Sequence, residues 1–533
     1  MRTRYYDAPP LHTRSYFKDS SPMNDPLRPV RDALRVLALA ALVTVVPFSA
    51  GSARAAATQA YDWPMFGHDP ARSGAGDGGL APANVGTLKR RWVTTFSDTA
   101  DSTPILLAHV SGTRGGTRAL LFQTTRYGAT YALDAHSGAI VWRYTSPQPK
   151  VYAFSANSRD QLITASTPVA DPSGRYIYAP AIDGQVHKLT AATGTDVRGL
   201  GFPLRITRMP DVEKDASALN LANGYLYAVT SGYVGDRGPY NGHVVVLRLR
   251  DGATHVFNTL CGNIRALPLD KQYDARSTSS CPNTKSGMWS RAGVVVDPDP
   301  SMGGRIYAAS GNGLFDANKG GTNYGDSILS LNADGSRLLG YFTPPNYSYL
   351  EQNDLDLGST APVMLPREPR SRTPLMAVQG GKDQAIHLVD RARLGGIDAG
   401  LQTLHLDGAV LFTQPAMWRQ PGGGTWVYVG DNSELRALRL VTNGQGVSRL
   451  VTAWTAGVGS TSPVVSNGVV CAVTSGVLNA FDARTGRRLW TSTLPSAGGG
   501  IGGIHWESPI AVNGYVYISD ESGHLTAYAL PGR

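Results

Sequence analysis

The feature that most constrains the fold of this chain is a phrase that occurs twice, far apart. The first copy runs from Ala132 to Trp142 as ALDAHSGAIVW, and the second runs from Ala480 to Trp490 as AFDARTGRRLW. Each copy is a short apolar strand, a tight Asp-x-x-Ser/Thr-Gly turn and a second strand that ends in Trp. Repetition of such a unit indicates a repeat architecture, in which neighbouring units bury each other's apolar faces.

A second phrase, the opening of a strand by small residues, gives the number of units. Most copies are followed by a turn, an apolar strand and a Gly-x-x-x-Leu strand. The eight openings begin at Ser102, Ser166, Ser217, Ser290, Ser359, Gln414, Thr461 and Glu507. Strands of about five residues, separated by Gly, Asn and Asp turns, are typical of antiparallel β-structure. The pattern therefore predicts an all-β fold, an eight-bladed β-propeller of four-stranded antiparallel blades.

The two ends of the chain share one of these units. The last unit stops at Arg533, before its Trp-bearing strand, and the missing strand lies at residues 86–94 as GTLKRRWVT. We therefore expect the N-terminal strand to complete the C-terminal blade and close the ring, which removes exposed strand edges. The alternative is a linear solenoid, whose ends carry caps and not a divided unit.

Residues 1–55 are predicted to be a leader and secretory signal peptide, and residues 56–533 a single propeller domain. Three Arg residues precede an apolar run at residues 36–46, and a small-residue cleavage site ends at Ala55. The run is too short for a membrane span, and no Cys follows it to carry a lipid. We expect an exported, soluble protein, periplasmic or extracellular, that is not a lipoprotein. Translation could start at Met1 or at Met23.

The net charge of +9 says little about partners. Eight Lys or Arg and four Asp or Glu lie in residues 1–55, so the expected mature chain carries only +5. No basic run with interleaved aromatic residues occurs, and a nucleic-acid partner is therefore not expected.

The three cysteines indicate compartment and exclude one cofactor. Cys261 and Cys281 flank a polar insertion and can close it as a disulfide in an oxidising compartment. Cys471 lies in an apolar strand and is expected to be a small buried side chain. No Cys-x-x-Cys-His motif is present, so no covalent haem is expected.

Function is expected in the longest and least regular units, residues 217–404, whose loops carry polar residues and Gly. Trp289 lies two residues after Gly287 and could offer a flat platform to a planar ligand, or it could pack between blades. Asn312 lies in a Gly-rich segment whose Asn and Asp oxygens could bind a hard cation such as Ca²⁺. The same residues could also be ordinary turn formers.

Two further positions in this region carry charge. Asp354 and Asp356 have period-2 spacing just before an inner strand, so both point the same way. A carboxylate there could be a metal ligand or a general base, or the pair could be solvated charges at the start of a strand. Lys382 lies in a tight turn and could reach an anionic or carbonyl-bearing ligand, or be a solvated hairpin tip.

Taken together, these segments resemble the quinoprotein alcohol dehydrogenase family, eight-bladed propellers that bind pyrroloquinoline quinone and Ca²⁺ on the propeller axis. The repeated phrase is similar to that family's tryptophan docking motif, and the resemblance extends from Trp63 to the end of the chain. The resemblance implies, in the family's order along the chain, Trp289 as the floor under the quinone, Asn312 as a Ca²⁺ ligand, Asp356 as the catalytic base and Lys382 as the partner of the quinone carbonyls.

Some positions depart from the family pattern. The adjacent-cysteine ring that covers the quinone has no counterpart here, and among acidic residues only Asp236 lies near the place of the family's acidic Ca²⁺ ligand. Asp356 is implied as a further metal ligand. The Asp-Leu-Gly-Ser-Thr wording that begins at Asp356 is similar to the polyvinyl-alcohol dehydrogenase branch. The opening WPMFGHD at Trp63 looks more like non-enzymatic members, such as the propeller subunit of the outer-membrane assembly machine.

Three functions remain open at this point. The first is an enzyme that oxidises a small or polymeric alcohol with pyrroloquinoline quinone and Ca²⁺ and passes electrons to an external acceptor, with Asp356 removing the hydroxyl proton. The second is a non-catalytic propeller that binds a protein partner. The third is a sugar or polymer binder whose stacking surfaces would be Tyr233, Tyr240, Trp289 and Tyr324.

Overall fold

The structure is a computed structural model that describes residues 61–146, 166–233, 238–269, 281–406 and 409–533. Within these ranges, strands form eight blades of four antiparallel strands each, which confirms the all-β, eight-bladed propeller. One α-helix, Tyr347–Asn353, is present in the described part of the chain. None of the helices described there is long and apolar enough to cross a membrane.

Blades 1 to 4 follow one another along the chain, and their strands are hydrogen-bonded in chain order. The strands are, in blade 1, Ile105–Thr113, Gly116–Thr124, Thr130–Asp134 and Ile140–Tyr144; in blade 2, Val169–Ala170, Tyr176–Pro180, Gln185–Thr190 and Asp196–Val197; in blade 3, Asn220–Ala222, Tyr225–Val229, His243–Arg248 and Thr254–Asn258; and in blade 4, Val295–Val296, Ile306–Ala309, Ile328–Leu331 and Leu338–Thr343.

Blades 5 to 8 complete the ring. Their strands are, in blade 5, Val363–Met364, Met376–Gly380, Ala385–Asp390 and Gln402–His405; in blade 6, Ala416–Arg419, Thr425–Gly430, Leu435–Thr442 and Ser448–Ala456; in blade 7, Val464–Ser466, Val469–Thr474, Val477–Asp482 and Arg488–Thr491; and in blade 8, Ile510–Val512, Tyr515–Ser519, His524–Ala529 and Lys89–Thr95.

Short elements lie outside this pattern. The additional strands are Ala75–Gly76 beside blade 7, Leu204–Arg205 on blade 2, Gly396–Ile397 beside blade 4, and the pair Glu213–Lys214 and Ser231–Gly232. The 3₁₀ turns are Val85–Thr87, Pro300–Met302, Ala317–Lys319, Leu357–Ser359 and Pro495–Ala497.

Blade 8 is built from both ends of the chain. The strand Lys89–Thr95 pairs antiparallel with His524–Ala529, with Thr94 opposite Leu525. This pairing confirms the predicted ring closure, because the N-terminal strand occupies the outer position that the C-terminal segment lacks.

The tryptophans of the repeated phrase join neighbouring blades. Trp142 of blade 1 donates its indole N–H to the carbonyl of Ala191 in blade 2 at 2.9 Å. The ring lies so close to Gly194 that a Cβ there would be 2.6 Å from it. We call this contact a tryptophan latch. Equivalent latches place Trp92 on Gly138, with a bond to Ala135, and Trp454 on Gly486, with a bond to Ala483.

Residues 63–79 form an axial strap that bonds to the inner strands of most blades. Its backbone carbonyls accept N–H bonds from Ala170 in blade 2, Val296 in blade 4, Met417 in blade 6, Val465 in blade 7 and Gly514 in blade 8. Within the strap, the fully buried Arg72 donates to carbonyls of blades 3 and 4. The strap therefore ties the inner strands together around the axis.

The hydrophobic core lies between successive blades. One cluster, for example, joins Val378 and Leu388 of blade 5 to Val427 and Leu438 of blade 6. Burial of these apolar strand faces drives the stacking of blades.

The cysteines are placed as expected. Cys261 and Cys281 form a disulfide with their Cα atoms 5.9 Å apart, and Cys471 is buried in blade 7 as a free thiol. The predicted leader and signal peptide lie outside the described residues.

Candidate functional site

Four of the five site residues predicted from the sequence lie at one end of blades 4 and 5. Trp289 and Asp356 precede the inner strands of these blades, whereas Asn312 and Lys382 follow their second strands. In an antiparallel pair, the start of the first strand and the end of the second lie at the same edge. The blade architecture thus brings the four loops together.

Asp356 and Lys382 form the central contact of the site. The Lys382 ammonium lies 2.5 Å from Asp356 Oδ2, and its backbone N–H donates to the Asp356 carbonyl at 3.0 Å. Asp356 is 3 % exposed. Burial raises the pKa of its carboxyl group, and the charge of Lys382 opposes this shift. The lysine also donates to the carbonyl of Asp354 at 3.2 Å, which fixes its position.

Asn312 holds the other oxygen of the same carboxylate. Its backbone N–H donates to Asp356 Oδ1 at 2.8 Å, and its carbonyl accepts from the N–H of Ser286 at 2.7 Å. The side chain is buried, and its Oδ1 has no hydrogen-bond partner among the described residues. Asn312 therefore positions Asp356 with its backbone and leaves its amide oxygen available.

Trp289 and the Asp356 carboxylate meet at the backbone of Gly311. A Cβ at Gly311 would lie 2.1 Å from Asp356 Oδ1 and 3.0 Å from the Trp289 ring, so only glycine allows both to flank this backbone. The indole is half-buried and meets Tyr240 edge-on at 5.8 Å. Its N–H has no partner in the described part of the chain.

These residues fit a bound cation and a planar ligand in their donor chemistry. Buried polar atoms are normally hydrogen-bonded. Around this site four of them have no partner within the described ranges: Ser286 Oγ, Trp289 Nε1, Asn312 Oδ1 and Asp326 Oδ2. A carboxylate and an amide oxygen are ligands that Ca²⁺ prefers. Asp236, the further acidic ligand suggested by the sequence, lies outside the described residues.

Asp326 is a site residue that sequence reasoning did not single out. It is buried, and its Oδ1 accepts the backbone N–H of Leu357 at 3.0 Å, which holds the residue that follows Asp356. Burial and the nearby Asp356 raise its pKa well above the usual range. The residue belongs to the Gly-rich segment of Asn312, but in the sequence it resembles an ordinary turn aspartate.

The tyrosines suggested as stacking surfaces are mostly inaccessible. Tyr240 is fully buried, and Tyr233 is 5 % exposed with its hydroxyl donating to the carbonyl of Pro210. Tyr324 is half-buried and packs against Tyr341 with ring centroids 5.7 Å apart. Tyr233 and Tyr240 therefore present no free stacking face.

A charged group lies near the axis apart from this site. Ligand atoms of Asp101, His505 and Glu521 lie within 4.8 Å of one another. Arg126 contacts Glu521 at 3.0 Å and lies 3.9 Å from Asp101, so a positive charge already accompanies the carboxylates. A cavity of about 440 Å³ between blades 8 and 1 opens beside Arg126 and Glu521, and Asp356 is not among its lining residues.

Comparison with known families and structures agrees with this architecture. Residues 63–342 match the glucose/ethanol/alcohol dehydrogenase β-propeller domain, and residues 404–531 match the outer membrane protein assembly factor BamB. No curated protein matches the sequence.

Solved structures with a similar fold include the quinohemoprotein alcohol dehydrogenase ADHIIG of Pseudomonas putida HK5, with a TM-score of 0.60 and 16 % identity over 89 % of this chain and 80 % of that one. The quinohemoprotein alcohol dehydrogenase of Comamonas testosteroni gives a TM-score of 0.59 and 16 % identity over 89 % and 81 % of the two chains. A europium-containing methanol dehydrogenase gives 0.59 and 15 % over 88 % and 98 %. At such identities the likeness shows the fold alone.

Proposed function

Since the chain belongs to the family of glucose/ethanol/alcohol dehydrogenase β-propeller domains, we propose that it is an exported alcohol dehydrogenase that uses pyrroloquinoline quinone and Ca²⁺. The observation that carries the proposal is the convergence of Asp356, Lys382 and Asn312 beside Trp289. In this site a buried carboxylate is paired with a lysine. Buried oxygens and an N–H group that have no partner among the described residues lie next to the pair. A general base in a ligand site needs such surroundings.

Asp356 would act on the alcohol as the general base. Burial alone would favour its protonated form, and the ammonium of Lys382 favours the ionised form that can accept the hydroxyl proton. The N–H of Asn312 holds Oδ1, so the carboxylate keeps one orientation. When bound, the quinone supplies the hydride acceptor that side chains lack.

The cofactor would be held by the remaining residues. Asn312 Oδ1, which has no partner among the described residues, and the carboxylate of Asp356 are the oxygens that we assign to Ca²⁺, with Asp236 as a further candidate. Trp289 would supply the floor under the quinone, and Lys382 a charge beside its carbonyls. The sequence has no Cys-x-x-Cys-His motif, so electrons would pass to a separate acceptor.

The proposed location follows from residues 1–55. These residues contain a basic segment, an apolar run and a small-residue site, as a secretory signal does. We expect cleavage after Ala55, which leaves a propeller domain over residues 56–533. A protein exported in this way would act in the periplasm or outside the cell.

The experiment is to reconstitute the purified protein with Ca²⁺ and pyrroloquinoline quinone and to measure quinone binding and dye-linked alcohol oxidation. Asp356→Asn should lower kcat by about a hundredfold or more, because the base is lost while the side-chain shape is kept. Quinone affinity should change little. Asp334→Asn, in a surface turn of blade 4, is the matched control and should leave both quantities unchanged.

Failure to bind quinone at roughly micromolar concentration, a tightness expected of a cofactor, would contradict the proposal. The alternative is a non-catalytic propeller that binds a protein partner. It is favoured by the match of residues 404–531 to BamB and by the missing pair of adjacent cysteines. Under that interpretation, Asp356→Asn would have no effect on any binding that the purified protein shows.

A further inference from the structure

Residues 283–287 form a short segment, here called the support segment, that contacts two residues of the candidate site. The backbone N–H of Ser286 donates to the carbonyl of Asn312 at 2.7 Å. A Cβ at Gly287 would lie 2.8 Å from the Trp289 ring, so the indole lies directly against this backbone. The support segment therefore helps to place both the residue that we assign to Ca²⁺ and the residue that we assign to the quinone floor.

Two neighbouring residues of the support segment have a left-handed backbone. The φ values of Lys285 and Ser286 are 83° and 55°. Among the described residues they are the only adjacent pair of non-glycine residues with positive φ. Side chains disfavour this region, and such conformations persist where the surrounding structure imposes them, often at ligand sites. The buried hydroxyl of Ser286 has no partner within the described ranges, so the conformation gains no bond from this side chain there.

Hydrogen bonds to blade 3 hold the two left-handed residues. Lys285 donates its backbone N–H to the carbonyl of Tyr240 at 2.8 Å, and its own carbonyl accepts the N–H of Gly242 at 3.1 Å. The carbonyl of Ser286 accepts the hydroxyl of Thr259 at 3.0 Å. A Cβ at Gly242 would overlap the Ser286 carbonyl oxygen, so only glycine allows this approach. These bonds fix the middle of the support segment.

The disulfide fixes the beginning of the support segment. Cys281 lies two residues before Asn283, and its partner Cys261 follows the outer strand of blade 3, Thr254–Asn258. The side-chain oxygen of Asn323 accepts the backbone N–H of Cys261 at 2.9 Å and the amide of Asn283 at 3.2 Å. Both cysteines are buried. The covalent bond therefore anchors the support segment to blade 3 immediately before the strained residues.

We propose that the Cys261–Cys281 disulfide is a positioning element of the candidate site. It holds the support segment in its left-handed conformation, and the segment in turn holds Asn312 and Trp289. Without the disulfide, Lys285 and Ser286 relax toward ordinary backbone angles more often, and the bond from Ser286 to Asn312 opens. Only the consequence of this opening for Ca²⁺ binding rests on the proposed function.

The test is hydrogen exchange, followed by mass spectrometry, on the full chain without added Ca²⁺ or quinone. In Cys261→Ala/Cys281→Ala, amides of residues 284–289 and 310–313 should exchange about tenfold faster than in the wild type, because local opening becomes more frequent. Residues 130–134 of blade 1 should keep their exchange rate. Cys471→Ala, which removes a buried thiol of blade 7, is the matched control and should leave the support segment unchanged.

A glycine substitution distinguishes positioning from general stabilisation by the disulfide. Lys285→Gly, added to the double cysteine variant, should restore most of the lost protection, because glycine adopts positive φ without strain. Leu200→Gly in the same background is the matched control. Leu200 also has a positive φ, of 50°, but lies in an exposed turn of blade 2. A disulfide that only constrains the unfolded chain would give no such rescue.

Three results would overturn the proposal: unchanged exchange in the double cysteine variant, acceleration spread evenly over all blades, or no rescue by Lys285→Gly. Should the double variant fail to fold, Lys285→Gly is compared with the wild type while the disulfide is intact. Slower exchange of residues 284–289 is then expected, and unchanged or faster exchange would refute the strain.

Ca²⁺ titration of the same proteins is scored separately. If the wild type binds Ca²⁺, the double cysteine variant should bind it severalfold more weakly, and equal affinity would refute the link to the site. No Ca²⁺ binding by the wild type, even with quinone present, would refute the proposed dehydrogenase. The exchange results would still decide whether the disulfide positions Asn312.

Discussion

Glu213 is a buried carboxyl group at the small strand pair next to blade 3. Its Oε1 accepts the backbone N–H of Asn241 at 2.8 Å, and Oε2 accepts the hydroxyl of Thr207. The nearby Asp211 adds a charge of the same sign. Burial raises the pKa of Glu213 to about 8. A carboxyl group in this setting makes folding depend on pH.

The direction of that dependence is fixed by the two pKa values. The group ionises near 4.5 in the unfolded chain and near 8 in the folded chain. Between these values the folded state keeps a proton that the unfolded state has released. Its contribution to stability is therefore complete below pH 4.5 and is lost as the pH rises toward 8.

Glu213→Gln should remove this dependence, because the amide has nearly the same shape and no charge to bury. We expect the variant to be more stable than the wild type at pH 8, with the difference shrinking toward pH 5. Urea unfolding of both proteins at the two pH values measures it. Parallel loss of stability in the two proteins would contradict the assignment.

The candidate site shows which functional residues can be recognised from the sequence alone. Asp356 and Lys382 could be chosen because one precedes the first strand and the other follows the second strand of the same blade. Asp326 was missed because burial, which the sequence does not display, separates it from turn aspartates.

At the scale of elements, the tryptophan latch explains why the repeated phrase has its form. The Gly of the turn admits the ring, the Ala carbonyl accepts the indole N–H, and the Trp lies in the outer strand of the preceding blade. A second contact between blades accompanies the latch, as Tyr428 donates to the same Ala483 carbonyl as Trp454, and this contact persists where the Trp is absent. Tyr227 of blade 3 donates to the carbonyl of Ala333 in blade 4 at 2.7 Å. Repeats that lack the Trp therefore still hold neighbouring blades together, while their loops differ in sequence.

A comparison of two glycines distinguishes the packing energy of the latch from the cost of backbone strain. Gly194 and Gly174 have φ values of 69° and 68°, so alanine is strained equally at both, by about 1–2 kcal/mol. A Cβ at Gly194 would be 2.6 Å from the ring of Trp142, whereas nothing lies within 4 Å at Gly174. Gly194→Ala should therefore destabilise the protein clearly more than Gly174→Ala in denaturant unfolding. Equal losses would mean that the latch carries no packing energy.

The number and order of strands were predictable because each blade repeats one alternation of apolar strand and turn. The additional strands were not. Gly396–Ile397 runs parallel to the outer strand of blade 4 although it lies within the chain of blade 5. Such a pairing depends on which surfaces meet after the blades have stacked, and no local pattern specifies it.

At the scale of the whole molecule, the ring is held by the strap and by the shared blade. The ends of the strap and chain lie close together, since Tyr61 bonds to Asn513 at 2.8 Å and Arg533 lies beside Gly514. A short linker can therefore join Arg533 to the N-terminal segment. The divided blade would then become continuous in sequence.

A circular permutant tests this closure. A chain that starts at Asp98 and carries residues 56–97 after Arg533 through a Gly-Ser linker should fold and unfold in one cooperative transition. A variant that simply lacks residues 61–97 should not, because blade 8 loses a strand and most inner strands lose a bonding partner. Thermal unfolding followed by circular dichroism distinguishes the two, and cooperative unfolding of the deletion variant would refute the role of the strap.

The divided eighth blade also bears on how the protein is made. The ribosome produces Lys89–Thr95 early and His524–Ala529 among the last residues, and these two strands must pair with each other. Completion of the ring therefore waits for the end of translation, however early the other blades form. Until then the ring stays open, because the outer edge of His524–Ala529 and the edge of Lys89–Thr95 have not yet met.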